Sequence, residues 1–160
     1  MSQPTMLFLD FDGVLHSLGE AAMDEDFRLI ANPNLFCWRS ILVGILAPHP
    51  SVKIIVSSDW RRLVDDECLV RLLGESLGAR FVGVVEVAKE SRADEILAEA
   101  LRRELRCWLA VDDHPSVAKA RKAGDTRFIA CAPDKGLSDP TVQRELKRKL
   151  AAIGFVVARK

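Results

Sequence analysis

The chain has no excess of either charge: 23 lysine and arginine residues face 23 aspartate and glutamate residues. Global charge therefore gives no argument for a nucleic acid or a membrane surface as partner. No apolar run approaches the roughly 18 residues of a membrane span. The opening "MSQPTMLFLD" has no basic segment ahead of its apolar residues and reaches aspartate too early for a secretory leader, so a cytoplasmic protein with no membrane partner is expected. The four cysteines, Cys37, Cys68, Cys107 and Cys131, contain no CxxC pair. That spacing argues against a zinc knuckle or a disulfide framework, and buried, reduced thiols are expected instead. No linker, internal repeat or low-complexity tract divides the chain, and its 160 residues suit one domain over 1–160.

Hydrophobic residues make up 49% of the chain, enough for one sizeable core. Short apolar runs at 5–11, 52–58, 80–85, 107–113 and 127–132 read as strands buried on both faces. Between them, 34–46, 60–77, 92–105 and 115–123 read as helices. In "SRADEILAEALRREL" the apolar positions follow the 3.6-residue period and Ser91 can cap. A last helix is expected to open on Asp139 and Pro140 and to stop just before Gly154. Alternating strands and helices imply a parallel sheet covered on both sides.

The informative feature is what the strands end with. Residues 7–13 read "LFLDFDG", a buried strand that finishes in two acidic residues. Acidic residues are poor strand formers, and like charges two apart repel. The second strand ends in Ser57-Ser58-Asp59 and the fourth in Asp112-Asp113-His114. Ligands of open α/β sheets bind beyond the carboxyl ends of the strands. Each signal alone has a structural explanation, as a turn or a helix cap. Together they put carboxylates and hydroxyls on one rim, where a cation is needed to offset their repulsion. A few carboxylates with positions left for water suit Mg²⁺, and an aspartate there can accept a phosphoryl group.

On these residues the chain resembles the haloacid dehalogenase (HAD) superfamily of phosphatases over about 5–150. "FLDFDGVL" is similar to the family's first motif. The resemblance implies that Asp10 is the nucleophile, Asp12 the general acid/base, and that the Asp10 carboxylate and Asp12 carbonyl contact Mg²⁺. Gly13 fits the tight turn that follows, beside the substrate. "IIVSSDWR" resembles the second motif, with Ser57 as the phosphate-binding hydroxyl and Ser58 as the second choice. "WLAVDDHP" resembles the fourth, with Asp113 as the metal carboxylate and Asp112 beside it as a ligand or a support to one. For the third motif, the cation that neutralises the phosphate, "VAKESRADEI" offers Lys89 and Arg92. "SRADEI", "SSDWR" and "GLSDP" resemble a smaller branch, the HAD domain of bacterial RNA-repair proteins, and that favours Arg92.

By the same resemblance the fold is a three-layer Rossmann-like α/β structure with a five-stranded parallel sheet, ordered 5-4-1-2-3. The 38 residues between Gly13 and Val52 are filled by a flap and one helix, which leaves no room for a cap domain. An open site admits a macromolecular substrate, and the branch points to phosphorylated RNA or DNA ends. Residues 141–160 carry six basic residues against one acidic, in mild agreement. Trp60 is expected to pack at a helix start. Arg61 stands either at the mouth, meeting an anionic substrate, or in solvent. His16 is a candidate for the flap, and His114 for a helix start. The competing reading is a phosphate-sensing or interaction module without turnover, against which the second aspartate, Asp12, argues.

Overall fold

A computed structural model describes residues 3–159. Five parallel strands form one sheet: β1 (Met6–Leu9), β2 (Lys53–Val56), β3 (Phe81–Val84), β4 (Trp108–Asp112) and β5 (Phe128–Ala130), in the order β3-β2-β1-β4-β5. This is the order expected, read from the other edge. The helices are α1 (Arg39–Leu46), α2 (Asp66–Gly78), α3 (Arg92–Arg102), α4 (Pro115–Lys122) and α5 (Pro140–Ala158). No cap domain interrupts the described residues.

The pleat sorts the strand residues into two cores, as alternation requires. Leu7, Leu9, Ile54, Val56, Leu109, Val111 and Ile129 face one side, where Leu42 of α1, Leu69 and Leu73 of α2, and Leu146 and Leu150 of α5 cover them. Phe8, Ile55, Trp108, Ala110 and Phe128 face the other, covered by Ile96 and Ala100 of α3 and Val117 of α4. Both faces of β1 and β4 are fully occupied, so the sheet centre is rigid, and fully burying such a side chain contributes about 1.5–3 kcal/mol.

Four local expectations are corrected. The first helix starts at Arg39 rather than at 34, because Phe36 adopts a left-handed backbone (φ 58°) that no helix continues. The helix expected over 60–77 is two elements. Ser58 caps a single 3-10 turn over Asp59–Arg62, and Asp65 starts α2 afresh by accepting from the Cys68 amide. Gly154 does not terminate α5, which runs on to Ala158; a glycine is tolerated inside a helix. Of the cysteines only Cys131 is buried. Cys68 and Cys107 are half-buried and Cys37, in the turn before α1, is exposed; all four are free thiols. Within the basic C-terminal stretch, Lys160 lies outside the described residues. No helix among the described residues is long and apolar enough to cross a membrane.

Candidate active site

Pairing of β1 with both β2 and β4 sets the site. Leu9 is in register with Val56 on one side and Val111 on the other. The residues that follow, Asp10, Ser57 and Asp112, therefore emerge side by side at the carboxyl edge. Oxygens of Asp10, Asp112 and Asp113 all lie within 4.8 Å of one another. Asp10 is 4% exposed and Asp112 is fully buried. Burial, and then the neighbouring Asp112 charge, push the Asp10 carboxyl well above the ordinary carboxylate range; burial likewise raises Asp113.

Among the described residues, Arg92 is the single side-chain cation placed among these groups. It is the first residue of α3, positioned by Ser91, whose hydroxyl accepts from the Asp94 amide. Its guanidinium donates to Asp112 at 2.9 Å and to Asp59 at 3.0 Å, and lies 3.5 Å from Asp10. The surrounding carboxylates outweigh desolvation and hold its pKa above the usual value. Lys89 is exposed and is not among the residues lining the cavity, so of the two candidate cations the fold brings Arg92 to the aspartates and leaves Lys89 outside.

Ser57 is fully buried, and its hydroxyl oxygen is the one buried side-chain polar atom without a hydrogen-bond partner among the described residues. Ser58 is equally buried, but its hydroxyl is occupied as a cap, accepting from the Trp60 amide at 3.3 Å. Gly13 has φ +74°, and a Cβ there would overlap the Asp113 carboxylate. Its value is thus to let the first loop pass under Asp113, and it does not line the cavity.

Arg61 does not stand at the mouth. Its side chain is wholly buried and donates to the carbonyls of Ser57 (2.7 Å), Ser58 (3.1 Å) and Val85 (2.8 Å), and to the buried Glu95. The carbonyls of Ser57 and Val85 have no other donor among the described residues and one guanidinium satisfies both, while that of Ser58 also accepts from the Arg61 amide. Arg61 therefore braces the loop that carries Ser57 and is unavailable to substrate.

Asp12 lies apart from the three clustered carboxylates. Its Oδ1 is 2.7 Å from His16 Nε2 and its Oδ2 accepts from the Trp60 indole N–H at 2.9 Å. His16 is fully buried beneath the loop rather than part of an exposed flap. His114 caps α4 through its ring, accepting from the Ser116 amide, and also lines the cavity. Asp59, to which the motifs assign no role, shares Arg92 with the aspartates; its place in the "SSD" triplet at the rim is the signal for it.

Asp10, Asp12, Asp59, Arg92, Asp113 and His114, with Leu18, Pro115 and Pro133, line an open cavity of about 280 Å³. Hard oxygen donors predominate there, with His114 the one imidazole and no thiol among the lining residues. A divalent cation would offset the mutual repulsion of Asp10, Asp112 and Asp113, and the oxygen donor set fits Mg²⁺.

The family model for the HAD domain in Swiss Army Knife RNA repair proteins matches residues 6–142, from β1 into the first turn of α5. The chain belongs to this family, and with it to the HAD-fold hydrolases. No curated protein and no solved structure matches the chain.

Proposed function

We propose that this member of the family is a Mg²⁺-dependent phosphatase that works through an aspartyl-phosphate on Asp10 and removes phosphate monoesters from nucleic-acid ends. The observation that carries the reading is one juxtaposition: buried Asp10 beside the unpartnered Ser57 hydroxyl and the Arg92 guanidinium. That is a nucleophile with two donors placed for the oxygens of the group it attacks.

An Asp10 carboxylate oxygen attacks phosphorus as the bond to the leaving oxygen breaks. Asp12 gives its proton to that oxygen. Asp12 then takes a proton from water, whose oxygen attacks phosphorus as the bond to Asp10 breaks, releasing inorganic phosphate and restoring both carboxyl groups. Throughout, Ser57 and the unused N–H groups of Arg92 donate to the equatorial oxygens, so most of the rate comes from positioning and neutralisation. Asp10, the Asp12 carbonyl and Asp113 would hold Mg²⁺, with Asp112 beside them, and the ion would supply further neutralisation of the phosphoryl oxygens. The absence of a cap and the open cavity support a substrate presented as the end of a larger molecule.

The test is phosphate release, with and without Mg²⁺, from 3′- and 5′-phosphorylated oligonucleotides, mononucleotides and phosphopeptides. Mg²⁺-dependent release favouring oligonucleotides is expected. Release from none would overturn the enzyme in favour of a phosphate-sensing module; release from phosphopeptides alone would overturn the substrate class.

A further inference from the structure

We infer that His16 and Trp60 are positioning residues that aim the Asp12 carboxylate at the leaving oxygen. The inference rests on the acid/base role proposed above for Asp12. It starts from a mechanical problem. Asp10 and Asp112 are buried at strand ends and steadied by Arg92, whereas Asp12 sits on the loop beyond and its side chain is 31% exposed. A carboxylate there has rotamers to choose from, and proton transfer needs one of them.

Two N–H donors from different elements remove that choice. His16 follows on the same loop, which is closed by a bridge between Asp12 and His16 and by the Gly13 amide donating to the His16 carbonyl at 2.8 Å. Trp60 comes from the 3-10 turn after β2. Each takes a different carboxylate oxygen, so rotation of the group is blocked, while each oxygen keeps a further lone pair.

The donor sense is set by the surroundings. Indole N–H can only donate. For His16, the backbone N–H of Phe36 donates to Nδ1 at 3.2 Å, so Nδ1 carries no proton and Nε2–H points to Asp12. Phe36 is one of the few non-glycine residues with positive φ, a region such residues rarely adopt. Its ring meets those of Phe11, His16 and Trp60 edge to face, with centroids 5.4, 5.0 and 5.5 Å away. A strained amide, a fixed tautomer and a shared aromatic cage all converge on one carboxylate.

A test can separate this role from packing. Glutamine at position 16 keeps a donor near the Nε2 position, and asparagine keeps an acceptor near the Nδ1 position. His16→Gln, His16→Asn and Trp60→Phe are compared with wild type at saturating Mg²⁺ on 4-nitrophenyl phosphate and on a 3′-phosphorylated oligonucleotide. The quantity read is kcat/KM, which reports the step that expels the leaving oxygen. His16→Asn and Trp60→Phe should lose about 10- to 100-fold on the oligonucleotide, whose alkoxide needs a proton, and much less on the aryl ester. His16→Gln should recover most of the loss. Equal losses on both esters, or rescue by asparagine and not by glutamine, would show a packing role and overturn the inference. Wild-type protein that hydrolyses neither ester overturns this inference, and if it also releases nothing from mononucleotides and phosphopeptides it overturns the phosphatase reading itself.

Discussion

Asp10 and Asp12 stand two positions apart and meet different surroundings. Asp10 accepts from the Phe11 amide, is nearly inaccessible and crowds Asp112 and Asp113; Asp12 is partly exposed and held by two rings. Asp10→Asn should therefore abolish turnover on every ester while leaving the protein folded, checked by phosphate release and circular dichroism. Asp12→Asn keeps the nucleophile and should lose about 10²- to 10⁴-fold, with the smaller losses on aryl esters in the first, leaving-group step. Robust turnover by Asp10→Asn, or equal residual activity of both variants across substrates, would remove these roles. Arg61 belongs to stability instead. Arg61→Ala leaves Glu95, 4% exposed, without its main partner and strands the carbonyls of Ser57 and Val85. A loss of about 3–5 kcal/mol in urea denaturation is expected; an unchanged midpoint would mean that the brace contributes nothing. The sequence could place Arg61 beside the second motif but not choose its direction, because a guanidinium after a strand end can turn out to solvent or back under its own loop.

At the scale of elements, helix beginnings were legible where one side chain decides them, and ends were not. Ser91 and Asp139 cap as read, and the five apolar runs are the five strands. The broken helix after β2 was missed because both halves share one apolar period and the Asp65 cap hides among acidic neighbours. The delayed start of α1 depends on Phe36, whose left-handed backbone is imposed by tertiary contacts with His16, Phe11 and Trp60. Gly154 read as a stop signal because glycine often follows a helix. Its place inside α5 has a measurable consequence. A Cβ there would meet nothing within 4 Å and its φ is not positive. Gly154→Ala should stabilise by roughly 0.5–1 kcal/mol in thermal or urea denaturation, as expected for an exposed helix interior. Destabilisation would mean that the chain leaves the helix at this residue.

For the whole molecule, the strand order decides what the site is, because it sets β1 between β2 and β4 and gathers acidic ends that the chain separates by about a hundred residues. That much followed from the motifs. The rings behind Asp12 and the Asp59 contact to Arg92 did not, since they join loops through no periodic pattern. The gathered charge makes stability depend on pH in a definite direction. In the unfolded chain an aspartate titrates near 4. In the folded, metal-free protein Asp10 holds its proton to higher pH, through burial and then Asp112. Between the two values the folded state binds more protons, so stability falls as pH rises, and the fall continues until Asp10 ionises in the fold. Asp125, lowered by its hydrogen bonds to Arg127, works in the opposite sense, but its window lies below the unfolded value and it adds no slope at higher pH. With chelator present, wild type should thus lose stability as pH rises above the unfolded aspartate value, relative to Asp10→Asn, which lacks the ionising group. The difference between the two profiles cancels the titrations that Asp10 does not touch and leaves Asp10 together with Asp113, which is hydrogen-bonded to it. Mg²⁺ selects the ionised carboxylates, so it should restore wild-type stability most at the high-pH end of the profile, by about 2.7 kcal/mol at a hundred times its Kd, and restore the variant little. Parallel wild-type and variant profiles under chelation would show that Asp10 ionises in the fold as freely as in the unfolded chain. A Mg²⁺ effect equal in both proteins would show that the ion is not held by Asp10.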